Sequence, residues 1–447
     1  MVLILVLYGI NLSILKISLG TLLVIGVISV QLWAGAYVGD YVMWGTYGLL
    51  LVSSWIVICK IIIVVGSVSL LLMYSPVSQD RGGGVLLILI VALSSLLLVS
   101  SISWLSIYLA LELQTLTLFI LAAIRRDSAY STEAGLKYFV LGAVSSGLFL
   151  FGCALLYGVA GEISIQGINS VLTADVGKIL ITVSLLFKLS VAPFHMWAPD
   201  VYEGAPTLIT ALLAIVPKVA VFSILVQIGP VTNVVLVCAV LSVVWGSIGA
   251  LNQTRMKRLL AYSGIAHMGF VLLGIAIGSF ESIQASLIYM IVYVIMSICS
   301  FSIILSLNLT RNLIIEVGGL SRNNPVIAST LALIFLSIAG VPPLAGFLSK
   351  WFILLAGVSS GYYLISVVVV VSSVIAGFYY VRLVQIIYFP FGNYSMLIWQ
   401  KVLKKECRID FSKSVIIGLT FFIILFLIIS PNFLLQITHE ATISLYN

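Results

Sequence analysis

Charged side chains are scarce in this chain: they make up 8% of its 447 residues, against roughly a quarter in an ordinary soluble domain. A polypeptide with so little charge cannot cover a globule of this length with a solvated surface, which excludes a water-soluble enzyme. Cysteine is equally thin. Cys59, Cys153, Cys238, Cys299 and Cys407 stand singly, four of them in apolar runs and none in a CxxC pair, so the pattern encodes no metal site, cluster or disulfide framework. No Walker A loop, dinucleotide-binding GxGxxG or histidine pair at haem-ligand spacing is present, which removes a nucleotide site and an electron carrier. Energy for transport must then come from an ion gradient or a partner. The longest polar stretch, Pro390 to Lys413, is too short to fold alone. The chain opens with neither a basic n-region nor a small-residue cleavage site, so its start is read as a first helix rather than a removable signal peptide.

What the chain does have is apolar length. Hydrophobic residues make up 62% of it, and about 20 in a row suffice to cross a bilayer as a helix. The expected fold is an all-α polytopic membrane protein, one transmembrane domain over 1–447 with about fourteen helices. The spans read as 2–15, 19–36, 55–74, 84–102, 103–124, 134–158, 177–198, 207–228, 231–250, 258–278, 283–308, 326–353, 360–389 and 413–433. Basic residues test this count, since one missed helix would scramble their sidedness. Junctions after odd-numbered spans hold Lys16, Arg81, Arg125, Arg126, Arg255, Lys257, Arg258, Arg311, Arg322, Lys401, Lys404, Lys405, Arg408 and Lys413, whereas junctions after even-numbered spans hold only Lys178. That asymmetry puts both termini on the side opposite the cytoplasm or matrix. It also explains the formal charge of +7 as a topology signal, and no nucleic-acid partner is expected.

Six basic residues remain inside spans: Lys60, Lys137, Lys188, Lys218, Lys350 and Arg382. Lys60 and Arg382 lie toward span ends, where a long stem can snorkel to the interface. Lys188 and Lys218 sit near the centres of spans seven and eight, and Glu112 is likewise central in span five. Span seven carries Pro193 and Pro199 beside its lysine, and span twelve reads SIAGVPPLAGFLSKW, with Pro342 and Pro343 before Lys350. These two broken helices lie five spans apart. Five is odd, so repeats of five helices, approximately 84–228 and 231–389 with spans one to three and fourteen flanking them, must be inverted in the membrane.

A lone lysine in hydrocarbon costs at least about 2.5 kcal/mol, so several of them imply partners or water. Burial disfavours the charged form of an amine and a nearby carboxylate restores it, so a lysine whose acid partner can approach or withdraw is a proton switch. Glu112, Lys188, Lys218 and Lys350 supply one acid and three bases on four different spans. Histidine can relay protons between such groups. His195 lies seven residues after Lys188, on the same face if the helix continued through Pro193, and His267 is mid-span in helix ten; for each the alternative is a hydrogen-bonded packing residue. Pro193 and the Pro342-Pro343 pair leave carbonyls free, tolerable at membrane depth only where protein or water meets them, so hydrated pockets are expected beside Lys188 and Lys350. Pro217, just before Lys218, loosens helix eight in the same way. Glu133 and Lys137, four apart, fit an ordinary helix-end ion pair, and Asp200 and Glu203 fit a helix-end turn better than an ion site. Trp104, Trp197, Trp245 and Trp351 fit interfacial or packing positions.

The stretches FKLSVAPFHMWAPDVYEGAPT (187–207), TEAGLKYFVLGAVSSG (132–147), MKRLLAYSGIAHMG (256–269) and GVPPLAGFLSKW (340–351) closely resemble the antiporter-like proton-pumping subunits of respiratory complex I. The resemblance covers essentially all fourteen spans. It implies a membrane-arm subunit of a proton-translocating NADH:ubiquinone oxidoreductase, moving protons while quinone reduction occurs elsewhere in the complex. Carried over by motif, Glu112 is the helix-five glutamate, Lys188 the helix-seven lysine that it regulates, and Lys218 and His195 members of the central relay. Lys350 is the basic residue of broken helix twelve, at the exit end. Lys137 in GLKYF becomes a relay lysine rather than only half of an ion pair, and the resemblance extends to His267. Weakening the Glu112–Lys188 pair would send a proton through Lys218 toward Lys350. NADH, FMN, iron–sulfur clusters and ubiquinone are implied for other subunits, none for this chain. The implied partners are the other membrane-arm subunits, especially subunits 4 and 4L, accessory subunits, and lipids such as cardiolipin. The implied location is the mitochondrial inner membrane, with a bacterial plasma membrane or a thylakoid as alternatives. The competing readings are a subunit of a multisubunit Na+/H+ antiporter and the plastid homologue; a passive structural spacer is the reading from another class.

Overall fold

The computed structural model describes residues 14–35, 41–42, 50–74, 83–165, 175–307, 309, 312–389 and 410–446. Ten described helices are long and apolar enough to cross a membrane, from Ser54–Met73 to Phe411–Ile429. The expected span 177–198 is two helices, Asp175–Lys188 and Trp197–Gly204, and the span 326–353 is also two, Pro325–Ala339 and Ala345–Ser359. The expected span 19–36 corresponds to the helix Ile14–Gly35. Most of the expected first span, 2–15, lies outside the described residues, as do Arg81, Arg311, Lys401, Lys404, Lys405 and Arg408. Beyond the expected set, a further helix covers Asn432–Tyr446. Its Asn432, Gln436, Thr438, His439 and Glu440 hide it from a search for apolar length. Its buried residues Thr438, Ala441 and Thr442 share one face at three- and four-residue spacing.

Local chemistry sets the helix ends. Serines at 53, 103 and 279 precede three of the helices, and each side chain accepts from a backbone N–H in the first turn, meeting a donor that a helix start leaves free. Serines inside spans donate to the carbonyl three residues back, as Ser67 to Val64 at 2.9 Å and Ser263 to Leu260 at 2.8 Å. Their hydroxyls are thereby satisfied without water, which apolar surroundings demand.

The chain forms two compact units. The first holds Met1–Cys238 and Leu435–Asn447, and within it the helix Thr207–Ile228 is almost wholly buried. Helices approach closely there where side chains are small: a Cβ on Gly177 would meet Leu156 at 2.8 Å and the Gly152 carbonyl at 3.1 Å. Gly204 likewise rests on the Tyr130 carbonyl and Ala134. These two contacts fix both halves of broken helix seven against the helix Ala129–Ala160. The terminal helix packs on the start of Ser54–Met73, with the Trp55 N–H donating to Ser444 Oγ at 3.1 Å. This contact sets the start of Ser54–Met73 beside the end of Asn432–Tyr446.

The second unit holds Ala239–Leu434, built around Phe280–Ser306 and Met256–Ile277, both mostly buried. Gly274 lies against the Ser282 carbonyl and Ser286, where a Cβ would stand 2.7 and 2.9 Å away. Arg382 donates to the Leu251 carbonyl at 3.4 Å, the helix-end placement expected of a snorkelling side chain.

Candidate functional site

In the first unit the site begins where broken helix seven stops. Asp175–Lys188 ends on the lysine itself, and Ser190 takes a φ of 59°. Residues 189–196 form turns, so the helix does not continue through Pro193 and the seven-residue spacing does not give Lys188 and His195 a common helical face. The physical reason is the missing amide of Pro193 together with the positive φ two residues after Lys188. His195 is nevertheless buried in the turn, at 6% exposure.

A helix end leaves carbonyls without donors. Here the Trp197 indole N–H, from the second half, donates to the Phe187 carbonyl of the first at 3.0 Å. The Trp197 ring also stacks on Phe187 at 5.9 Å and tilts against Tyr138 at 5.1 Å. Trp197, expected at an interfacial or packing position, thus helps to close the break. The Phe187 carbonyl also accepts the Ser190 N–H at 3.0 Å, so Trp197→Phe, which keeps the ring and removes the indole donor, takes away one of two bonds to that oxygen, a loss of about 0.5–1.5 kcal/mol. The purified assembly should show a slightly lower midpoint of thermal inactivation, and an unchanged midpoint would mean that the Ser190 N–H alone satisfies the carbonyl.

Glu112 projects from Trp104–Ala122. Its carboxylate acts electrostatically on Lys188, and also on the phenols of Tyr138 and Tyr108. Among the described residues the Glu112–Lys188 pair is a through-space one without a direct hydrogen bond, and Glu112 Oε1 is buried with no hydrogen-bond partner. Lys218 follows Pro217 inside its helix, is 2% exposed, and stands 5.9 Å from the centre of the Tyr202 ring. That ring comes from the second half of broken helix seven.

Lys137 lies apart from the deeply buried groups. Its ammonium pairs with Glu133 at 2.7 Å and with Asp200 at 2.9 Å, and all three side chains are partly exposed. The i,i+4 pair expected from spacing therefore forms. Asp200, read as part of a turn, adds a tie between the helix Ala129–Ala160 and the second half of helix seven.

In the second unit the break over 340–344 is closed by a different exchange of groups. Gly340 adopts a φ of 87°, a conformation that a side chain would resist, and an added Cβ there would meet Lys350 Nζ at 3.0 Å. Lys350, 7% exposed, donates to the Ala339 carbonyl at 2.7 Å and the Ile338 carbonyl at 3.2 Å. In return Ser337 Oγ, from the first half, accepts the Gly346 N–H of the second at 3.2 Å. Each half caps the other, so the protein itself meets the carbonyls that Pro342 and Pro343 leave open. Lys350 Nζ also lies 5.5 Å from the centre of the Phe270 ring. His267, 5% exposed, is joined through Nδ1 to the Tyr289 hydroxyl at 2.7 Å.

The structure thus brings Glu112, Lys188 and Tyr138 together in the first unit, and His267, Tyr289 and Phe270, with Lys350 beside Phe270, in the second. Sequence reasoning missed the tyrosines, whose only signal was a hydroxyl in an apolar run. Among the described residues no group of three or more His, Cys, Asp or Glu side chains is gathered to hold a metal ion.

A multi-spanning helical membrane protein, with ionisable side chains at the breaks of two helices, is the class that this fold and these sites define. The chain belongs to the family described as NADH:quinone oxidoreductase/Mrp antiporter, TM, whose model matches residues 101–376. It is 61% identical over 368 residues to NADH-ubiquinone oxidoreductase chain 2 of Metridium senile, covering 79% of this chain and 95% of that one. It is 38% identical over 390 residues to NADH-quinone oxidoreductase subunit N 1 of Rhizobium meliloti (strain 1021), covering 81% of each. A solved chain of respiratory complex I from Thermus thermophilus with bound aureothin superposes with a TM-score of 0.83 at 26% identity, over 97% of both chains.

Proposed function

We propose that this chain is a core membrane-arm subunit of a proton-translocating NADH:ubiquinone oxidoreductase in the mitochondrial inner membrane, corresponding to its chain 2 and subunit N relatives. The observation that carries the reading is the Glu112 carboxylate, one oxygen of which is buried, acting on Lys188 at the end of a broken helix, in a chain of this family. An acid and an amine that interact without a direct bond can be pushed together or apart by a small movement, and each arrangement favours a different proton count on the amine.

In this proposal Glu112, Lys137, Lys188, His195 and Lys218 handle protons in the first unit, and His267 and Lys350 in the second. Pro193, Pro217, Pro342 and Pro343 open the backbone beside them. NADH, FMN, iron–sulfur clusters and ubiquinone belong to partner subunits; subunits 4 and 4L, accessory subunits and lipids such as cardiolipin are its neighbours. The two breaks are equivalent elements of inverted five-helix repeats, 84–228 and 231–389.

Lys188→Met tests the reading in the assembled complex. The expected result is fewer protons moved per electron transferred, with the variant still assembled. An unchanged ratio would instead identify a passive spacer, and transport that depends on sodium would favour the multisubunit Na+/H+ antiporter.

A further inference from the structure

Four tyrosines are buried in the second unit, and the motif-derived relay assigns none of them. Tyr289 and Tyr293 come from Phe280–Ser306, and Tyr379 and Tyr380 from Tyr363–Tyr388; none is more than 6% exposed. As packing residues alone they are poor choices, because phenylalanine fills similar space without a hydroxyl to satisfy, and an unmatched buried hydroxyl costs about 1–3 kcal/mol.

Their arrangement supplies another reason. The Tyr289 hydroxyl is 2.7 Å from His267 Nδ1, and the His267 ring lies 5.8 Å from that of Tyr289 and 5.6 Å from that of Tyr293. Tyr289 stacks on Phe270 with centres 5.5 Å apart, and Phe270 is the ring beside the Lys350 ammonium. Tyr380, 1% exposed, packs its ring 4.4 Å from that of Tyr379 and 6.1 Å from that of Phe335. Its hydroxyl lies beside those of Tyr379 and Ser263, and Ser263 stands one turn before His267 on Met256–Ile277. A fully buried phenol beside a second phenol and a serine that is one helical turn from the histidine can both donate and accept and so can take a further bond from a mobile group. In a proton path that group is water.

We propose that His267, Tyr289 and Tyr380 form a hydroxyl-and-imidazole chain that conducts protons within the second unit, with water completing the bond at Tyr380. The inference rests on the proton-translocating function proposed above. Each phenol oxygen accepts a proton on a lone pair as its own O–H bond breaks toward the next acceptor, so every step forms one O–H or N–H bond and breaks one. No phenolate accumulates and no electrons move. His267 takes a proton on one ring nitrogen and releases one from the other. Phe270 holds the Tyr289 ring in place against the Lys350 side of the unit.

Tyr380→Phe and Tyr289→Phe, each in the intact complex, remove one hydroxyl and keep the ring. Each should lower the protons moved per electron, slow coupled turnover about tenfold or more, as loss of a positioned proton-transfer group does, and change the solvent deuterium effect on that turnover. A change in packing alone would move neither the ratio nor the isotope effect. Lys350→Met, made alongside, separates two failures. If it lowers the ratio and Tyr380→Phe does not, the tyrosine chain is wrong and the proposed function stands; if neither lowers it, the function falls with the chain. Should a tyrosine variant not assemble, a map of ordered water in the unmodified complex decides: water within hydrogen-bonding distance of the Tyr380 hydroxyl supports the chain, and a dry hydroxyl overturns it.

Discussion

Replacing Lys350 by methionine is expected to abolish proton movement through the second unit while leaving the helix break folded. The stability terms nearly cancel. Hydrogen bonds from a charged donor contribute about 1.5–3 kcal/mol each, and Lys350 makes two, to Ile338 and Ala339. Against this, a buried ammonium carries a desolvation penalty of several kcal/mol, which methionine does not incur in a similar volume. The functional terms do not cancel, because a positioned proton donor and acceptor contributes about a hundredfold or more to proton transfer. Lys350→Arg sharpens the test. Arginine keeps a positive charge and can reach the same carbonyls, but it does not release its proton, so it should preserve assembly and still fail to pump. Normal protons per electron in either assembled variant would remove Lys350 from the path.

The apolar spans and both helix breaks were legible in the sequence, because each is a local pattern: length without charge, or proline within that length. Glu112 and Lys188 were legible as ionisable groups where lipid should be, although their pairing rested on the resemblance. What could not be read is how the breaks are closed. The Trp197 indole reaching Phe187 spans ten residues and the Lys350 ammonium reaching Ala339 spans eleven, and both depend on the angle between two half-helices that no periodicity encodes. The same limit hid the His267–Tyr289 bond, which joins two helices. For His195 it was the spacing argument that went the other way: a shared face with Lys188 needed a continuous helix, and the turns over 189–196 remove that condition. The C-terminal helix was missed because its buried face is made of threonine and alanine rather than large apolar residues.

Glu112→Gln carries the other large expected effect, and it isolates charge from shape. Glutamine has nearly the same volume, so the packing of Trp104–Ala122 should survive, but the field on Lys188, Tyr138 and Tyr108 disappears. Two unit charges about 6 Å apart at an effective dielectric of about 20 interact by about 3 kcal/mol, which moves an equilibrium about a hundredfold. A field of that size is enough to load and unload a carrier, and hydrogen bonding by the glutamine amide cannot replace it. The assembled Glu112→Gln complex should therefore move fewer protons per electron, whereas Glu112→Asp, with its charge retained and drawn back by one methylene, should fall between. If Glu112 acts through Lys188, the two are one unit and their losses will not add. The double variant Glu112→Gln, Lys188→Met should then pump no worse than Lys188→Met alone. A double variant distinctly worse than both single ones would mean that Glu112 serves a second path, with Tyr138 and Tyr108 as the groups to test next.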